Sequence, residues 1–293
     1  MKNSIIAVLL TFLSWVCCAN DGAYWRDAKK VREGVKLKAL SFKKPRLMKA
    51  WVMSIDLKTP GIGFVTTERA KEWGEIMSDY TNDVKLIRTK RESTLDFMSR
   101  KRGEGRNVEI AINTAPWVPW CSPWTHTWAD PERWVVSDGV EVCAGKTPGK
   151  GALFVVYKDG RAEITSEVAP ELLGRVLHSH PGFEIIATNS VAIAPRKLKD
   201  LHPRTAFGIS KDRRYLYLLV VDGRQPGYSL GANLADLNDI LLPAGASDIL
   251  NMDGGGSTAL VVLDGPSKTP RMLNRHRKGS IRSVALNFGI TFD

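Results

Sequence analysis

Asn251-Met252-Asp253-Gly254-Gly255-Gly256-Ser257-Thr258 is the stretch on which the reading of this chain turns. Asp248 to Met252 before it reads as a buried strand, and the chain resumes as a strand through Ala259 to Leu263. Three consecutive glycines between two strands sacrifice strand stability for backbone access. Without Cβ atoms the chain can take positive φ and bring its N–H groups close to a ligand, in the manner of an anion-binding concavity. Asp253, at a strand end, is held rigidly where a general base or sugar-binding acid would be needed. Ser257 has no legible Ser-His-Asp context and reads as a ligand to phosphate or backbone. The loop is neither a Walker P-loop nor a GxSxG elbow. A plain turn is the alternative.

Working outward, Tyr215 to Val221 reads as a strand delivering Asp222-Gly223-Arg224, and Leu234, Leu237, Ile240 and Leu241 mark one face of a helix. Upstream, Trp51 to Leu57 alternates as a strand and stops at Thr59-Pro60-Gly61. Ala70, Trp73, Met77 and Tyr80 recur at helical spacing, a second helix starts near Ser93, and Val108 to Ile112 is a short buried strand ending at Asn113. Hairpins are predicted at 135–139 and 153–160, a strand at Ile185 to Ala187, and a last strand from Arg282 to Phe292. With no repeat or linker, the chain predicts a single mixed α/β (α+β) domain: a mixed β-sheet and a few packed helices. Residues 20–104 form its N-terminal part, whose basic segment 20–50 holds edge strands at most, and 105–293 form the core carrying the motifs.

Residues 1–19 read as a signal peptide: Lys2, an apolar run from Ile5 to Val16, then Ala19. The expected location is secreted or periplasmic. A lipid anchor at Cys17 or Cys18 is disfavoured by Trp15 and Val16, and no later run is long enough to span a bilayer. Processing leaves Cys121 and Cys143, expected to form one disulfide in an oxidising compartment. His178-Ser179-His180 has the His-x-His spacing of some metal sites, but Pro181-Gly182 follows and no partnered carboxylate or Cys pattern accompanies it, so it reads as a solvated loop. No cofactor is called for; a divalent-metal requirement stays open.

The 293 residues, 43% apolar and 25% charged, exclude disordered and fibrous classes. A formal charge of +11, from 42 basic and 31 acidic residues, points to an anionic partner. The excess gathers in 29–49, 85–106 and 271–282, the last with Arg271, Arg275, His276, Arg277, Lys278 and Arg282; the plainer reading of each is a solvated face. No nucleic-acid recognition pattern is present, so phosphorylated or acidic glycans are the expected partners. Trp117, Trp120, Trp124, Trp128 and Trp134, interleaved with Pro116, Pro119, Pro123 and Pro131, form a loop. Its indoles are either a satellite apolar cluster or a sugar-stacking platform, in which His126 could donate to a sugar or phosphate.

Taken in order, His202-Pro203-Arg204-Thr205-Ala206-Phe207-Gly208-Ile209, Asp222-Gly223-Arg224 and the 251–258 stretch resemble the phosphodiester glycosidase family. The likeness spans about residues 105 to 292, taking in Ala111-Ile112-Asn113 and the hairpins at 135–139 and 153–160. The chain departs where the family has Asn-Gly-Gly-(Phe/Tyr)-Phe, reading Asn113-Thr114-Ala115-Pro116-Trp117, and where a glycine pair precedes the RTA motif, reading Asn189-Ser190. The resemblance implies hydrolysis at an anomeric carbon with a phosphate ester as leaving group. Arg204, Arg224 and Arg282 would then clamp the anion, with the amides of Gly254, Gly255 and Gly256 completing the cradle beside Ser257 and Thr258. Asp253 would be acid/base or nucleophile and Asp222 its partner, while Asn113, Thr205, Asn287 and Trp117 would contact the sugar. The alternatives are a lectin-like binder of phosphorylated or acidic glycan and an ordinary glycosidase.

Overall fold

The computed structural model describes residues 21–122, 124–193, 200–264, 268–276 and 281–293. The expected signal peptide, including Cys17 and Cys18, lies outside them. Strands far outweigh helices, and every strand pairing among the described residues is antiparallel, where the sequence predicted a mixed sheet.

The large sheet runs Lys29–Arg32, Val35–Phe42, Met48–Asp56, Tyr215–Val221, Arg204–Ile209, Asp248–Asn251, Glu184–Thr188, Val191–Ala192. A second comprises Ala162–Glu167, Lys150–Tyr157, Val176–Pro181, Val135–Ser137 and Val140–Cys143; a third Thr269–Met272, Leu260–Asp264, Val108–Asn113, Asn287–Phe292 and Ile62–Thr66. The segment expected at the periphery is therefore integral. Met48–Asp56 pairs along its length with the central Tyr215–Val221, and only Lys29–Arg32 is an edge.

One apolar core joins the three sheets: Met53, Phe207 and Leu250 from the first, Phe154 and Val156 from the second, Ile112, Leu260 and Phe288 from the third. Such continuity is what makes the chain a single domain. Helix Leu234–Ala244 lays Leu237, Ile240 and Leu241 on the outer face of the large sheet and stops at Gly245, whose φ of 111° accommodates the left-handed cap. Helix Thr94–Gly103, capped by Ser93, buries Phe97 and Met98 against the third sheet.

Three expectations give way. Residues 70–80 form turns, not a helix: Gly74 has a φ of 90°, and the amides of Ala70, Gly74 and Met77 donate to Arg88, Ile87 and Lys85. His178 and His180 lie fully buried in the strand Val176–Pro181, not in a solvated loop. Alternation in 282–292 reflects a strand only from Asn287 onward.

Candidate active site

The glycine loop is where the chain leaves the middle of the large sheet and enters the third. Each glycine admits a neighbour that a side chain would exclude. A Cβ on Gly254 would stand 2.8 Å from the Pro203 carbonyl oxygen, one on Gly255 3.3 Å from the Arg224 guanidinium, and one on Gly256 2.8 Å from that of Arg282. Gly255 also needs its freedom for a φ of 63°. The loop is thus a seat for two guanidinium groups. Its amides are partly committed, Gly255 donating to Pro203 and Ser257 to the Gly254 carbonyl.

Asp253 is fixed at both backbone polar groups: its N–H donates to the Thr114 carbonyl at 2.8 Å, and its carbonyl accepts from Asn113 Nδ2 at 2.7 Å. The residue is 3% exposed, and burial pushes its carboxyl pKa up to about 7. Ser257, Arg282, the Gly254 amide and Trp117 pull the other way from nearby. Asp253 Oδ2, Ser257 Oγ and Trp117 Nε1 are buried together, the hydroxyl and the indole acting on the carboxyl without good hydrogen-bond geometry. So poorly satisfied a buried polar cluster marks a functional region.

Asp222 follows the strand Tyr215–Val221. Its carboxylate accepts the Arg275 amide at 2.9 and 3.1 Å, with Asn274 at 3.5 Å and the Tyr228 hydroxyl as further donors. Burial outweighs these donors and raises its pKa to about 6. Asp222 lines a cleft of about 520 Å³, whose walls include Trp124, Thr258, Arg224, Arg275, His276 and Arg282. Asp253 lies beneath the cleft, not on its wall. His202 steers Arg224, Nδ1 facing the guanidinium at 3.1 and 3.3 Å. Burial and the charges of Arg224 and Arg204 lower the His202 pKa, which keeps that nitrogen an acceptor. Arg282 lies over Trp124 at 4.5 Å and Trp120 at 5.1 Å.

Of the residues predicted from sequence, Asp222, Arg224, Gly255, Gly256, Thr258 and Arg282 meet at this cleft. Others support it. The Arg204 guanidinium binds the carbonyls of Ala232 and Asp200 and is not on the cleft wall. Asn113 spends its side-chain oxygen on Thr205 Oγ1 and the Ala259 amide. Asn287 bonds Thr94 through its side chain and is fully buried. Trp117 is buried with Ala115, Val135, Cys143 and Leu286 beneath Arg91, the satellite cluster the sequence allowed, while His126 is buried edge-on to Tyr80. The expected disulfide is absent: Cys121 and Cys143 are free thiols. Pairing of Val140–Cys143 with Val135–Ser137 fixes Cys143 so that its Sγ faces Asp130 Oδ1 at 3.5 Å.

Sequence reasoning missed Tyr228 and Asn274, which have no motif, and left Arg275 and His276 as part of a charge run. Their signal was the crowding of basic residues just before a predicted strand. Among the described residues no three His, Cys, Asp or Glu side chains come together as a metal site, and no helix is long and apolar enough to cross a membrane.

A family profile described as phosphodiester glycosidase matches residues 106–291. Among solved structures, the chain is similar to the zebrafish N-acetylglucosamine-1-phosphodiester alpha-N-acetylglucosaminidase catalytic domain auto-inhibited by its pro-peptide. That match has a TM-score of 0.59 at 17% identity and covers 90% of this chain and 86% of that one. A hypothetical protein from Synechocystis matches with a TM-score of 0.59 at 11% identity, over 91% of this chain and 63% of the other. Comparison with curated protein sequences finds no match.

Proposed function

Since the chain belongs to the phosphodiester glycosidase family, we propose that its cleft hydrolyses a sugar-1-phosphoryl linkage at the anomeric carbon, outside the cytoplasm, in a phosphorylated glycan or cell-envelope polymer. The observation that carries this reading is the seating of Arg224 and Arg282 on Gly255 and Gly256, beside two carboxyls whose pKa values burial has raised. Guanidinium groups bind phosphate oxygens through paired N–H donors, so the two arginines hold the diester.

Asp222, on the cleft wall and mostly ionised at neutral pH, takes a proton from water as that water attacks the anomeric carbon. The bond from that carbon to the phosphate oxygen breaks, and its electrons leave with the phosphate monoester. That leaving group is a weak base, so it needs little acid assistance, and the arginines absorb its charge. Asp253 shares its proton near neutral pH and acts from below on Arg282, a positioning role. This exchanges the roles the sequence suggested for the two carboxyls. Arg204 and Asn113 hold the loops in place. The zebrafish protein's name makes the methyl diester of N-acetylglucosamine 1-phosphate the first substrate to try. Release of free sugar, abolished in Arg224→Gln, supports the reading; tight binding of the diester without turnover would make the protein a lectin-like binder instead.

A further inference from the structure

Trp124 brings the proline-rich indole loop onto the cleft wall. That placement is costly. Trp124 has a φ of 65°, in the left-handed region, where a bulky side chain is strained and persists only when its surroundings over-determine it. Arg282, whose guanidinium lies over the Trp124 ring at 4.5 Å, reaches the same wall from a different segment, and Ser283 beside it also lines the cleft. The two segments must be held against each other.

Arg91 stands between them. It follows the strand Thr89–Lys90, which pairs with Trp128–Ala129 inside the indole loop, and its own amide donates to the Thr127 carbonyl at 2.8 Å. On its other side, Glu92 and Val284 exchange backbone hydrogen bonds at 3.2 and 3.0 Å. The side chain completes the join. Nη2 alone spans the two segments, donating to the Trp124 carbonyl at 3.1 Å and to the Ser283 carbonyl at 3.0 Å. Nε adds a second bond to Ser283 at 3.2 Å, and Nη1 donates to the His126 carbonyl at 2.8 Å. The guanidinium also lies over the Trp117 ring at 4.2 Å, and Trp117 meets Trp124 edge-on. Arg91 is only 6% exposed and is not on the cleft wall, whereas its partners Trp124 and Ser283 are.

Building on the proposed reaction, in which Arg282 holds the diester, we propose that Arg91 is a positioning residue: it clamps the indole loop to the segment of Arg282 and so fixes the diester-binding wall of the cleft. Asp222 is held by other groups, Asn274, Tyr228 and the Arg275 amide, so the clamp bears on binding rather than on activation of water.

The test measures, by calorimetry, binding of the methyl diester of N-acetylglucosamine 1-phosphonate, in which CH₂ replaces the anomeric oxygen. The parent, Arg91→Lys, Arg282→Gln and the double variant are compared. Lysine keeps the charge but cannot reproduce the planar fork. Arg91→Lys should weaken binding about tenfold in the parent, and less than about twofold once Arg282 is replaced, because the first residue acts through the second. On the ordinary, cleavable methyl diester, KM should rise about tenfold while kcat and the acid limb of its pH profile, set by Asp222, stay in place. An equal loss in both backgrounds, unchanged affinity in a folded Arg91→Lys, or a fall in kcat at constant KM would each overturn the proposal. Arg91→Gln, uncharged and so less costly to bury, is carried alongside; failure of both variants to fold would also overturn it, making Arg91 a residue that the fold itself needs. Absence of sugar release from the parent sinks the proposed reaction alone, since the coupling of Arg91 to Arg282 is read from binding.

Discussion

Replacing Gly256 with alanine separates the glycine loop's role in folding from its role in seating a cation. Gly256 does not sit at positive φ, so alanine fits its backbone. The new Cβ would stand 2.8 Å from the Arg282 guanidinium carbon and must push that flexible side chain off the loop. The backbone gain from Gly→Ala at a compatible site is about 0.4–1 kcal/mol. Loss of the Arg282 contacts with Trp124 and Trp120 costs a similar ~0.5–1 kcal/mol, so net stability should stay within about 1 kcal/mol of the parent. Binding of the diester has no such compensation. Hydrogen bonds to a charged group are worth roughly 1.5–3 kcal/mol, and about 1.4 kcal/mol is tenfold in affinity. Gly256→Ala should therefore weaken a non-cleavable diester tenfold or more, and raise KM more than it lowers kcat. Gly255→Ala is the contrast: at a φ of 63° alanine costs about 1–2 kcal/mol of stability as well. Urea denaturation and calorimetry on both variants make the comparison. Unimpaired diester binding by a folded Gly256→Ala would refute the seat.

Asp222→Asn should lower kcat by about a hundredfold or more, and Asp253→Asn by clearly less, because only Asp222 is on the cleft wall; steady-state kinetics on the methyl diester reads this, and the reverse order would return the base to Asp253. Burial raises both carboxyls from an ordinary 3.8, to about 6 for Asp222 and about 7 for Asp253, so between those values the folded chain holds protons the unfolded chain has lost. Their contribution to stability is present at low pH and fades as pH rises from about 4 to 7, so Asp253→Asn should gain on the parent across that window in urea denaturation; a constant difference would contradict the burial account. Cys121 and Cys143 should both react with a thiol reagent in denaturant without reductant, and Cys143, pushed up to about 11 by burial, should react slowly in the folded protein; finding no thiols would restore the disulfide.

Local pattern revealed the elements whose cause is local. Ser93 before an acidic first turn, the apolar stripe of 234–241 and the strands bracketing the glycine loop all carry their reasons in sequence. The apparent helix at 70–80 failed because its spacing comes from a cluster in which Ala70, Met77 and Ile87 meet through irregular turns, and Gly74 was the overlooked breaker. His178 and His180 were misread because strand burial is non-local: the hydroxyls of Thr66 and Thr114, far away in sequence, supply the partners of the His180 ring. At the site, Asp222, Arg224 and the glycines were legible as motifs. What sequence could not divide was contact from support. Arg204 and Arg224 look alike in a string, but one guanidinium is consumed by backbone carbonyls and the other, held by His202, lies on Gly255 at the cleft wall. Likewise, Tyr228 and Asn274 acquire meaning only through the fold that brings them to Asp222.

Hydrolysis of the methyl diester of N-acetylglucosamine 1-phosphate in ¹⁸O-enriched water decides which bond the cleft breaks. Attack at the anomeric carbon breaks the carbon–oxygen bond and leaves the bridging oxygen on phosphorus. Free sugar and methyl phosphate carrying no ¹⁸O are the expected products by mass spectrometry. Label in the phosphate product would mean attack at phosphorus, and would contradict a glycosidase reading of this cleft.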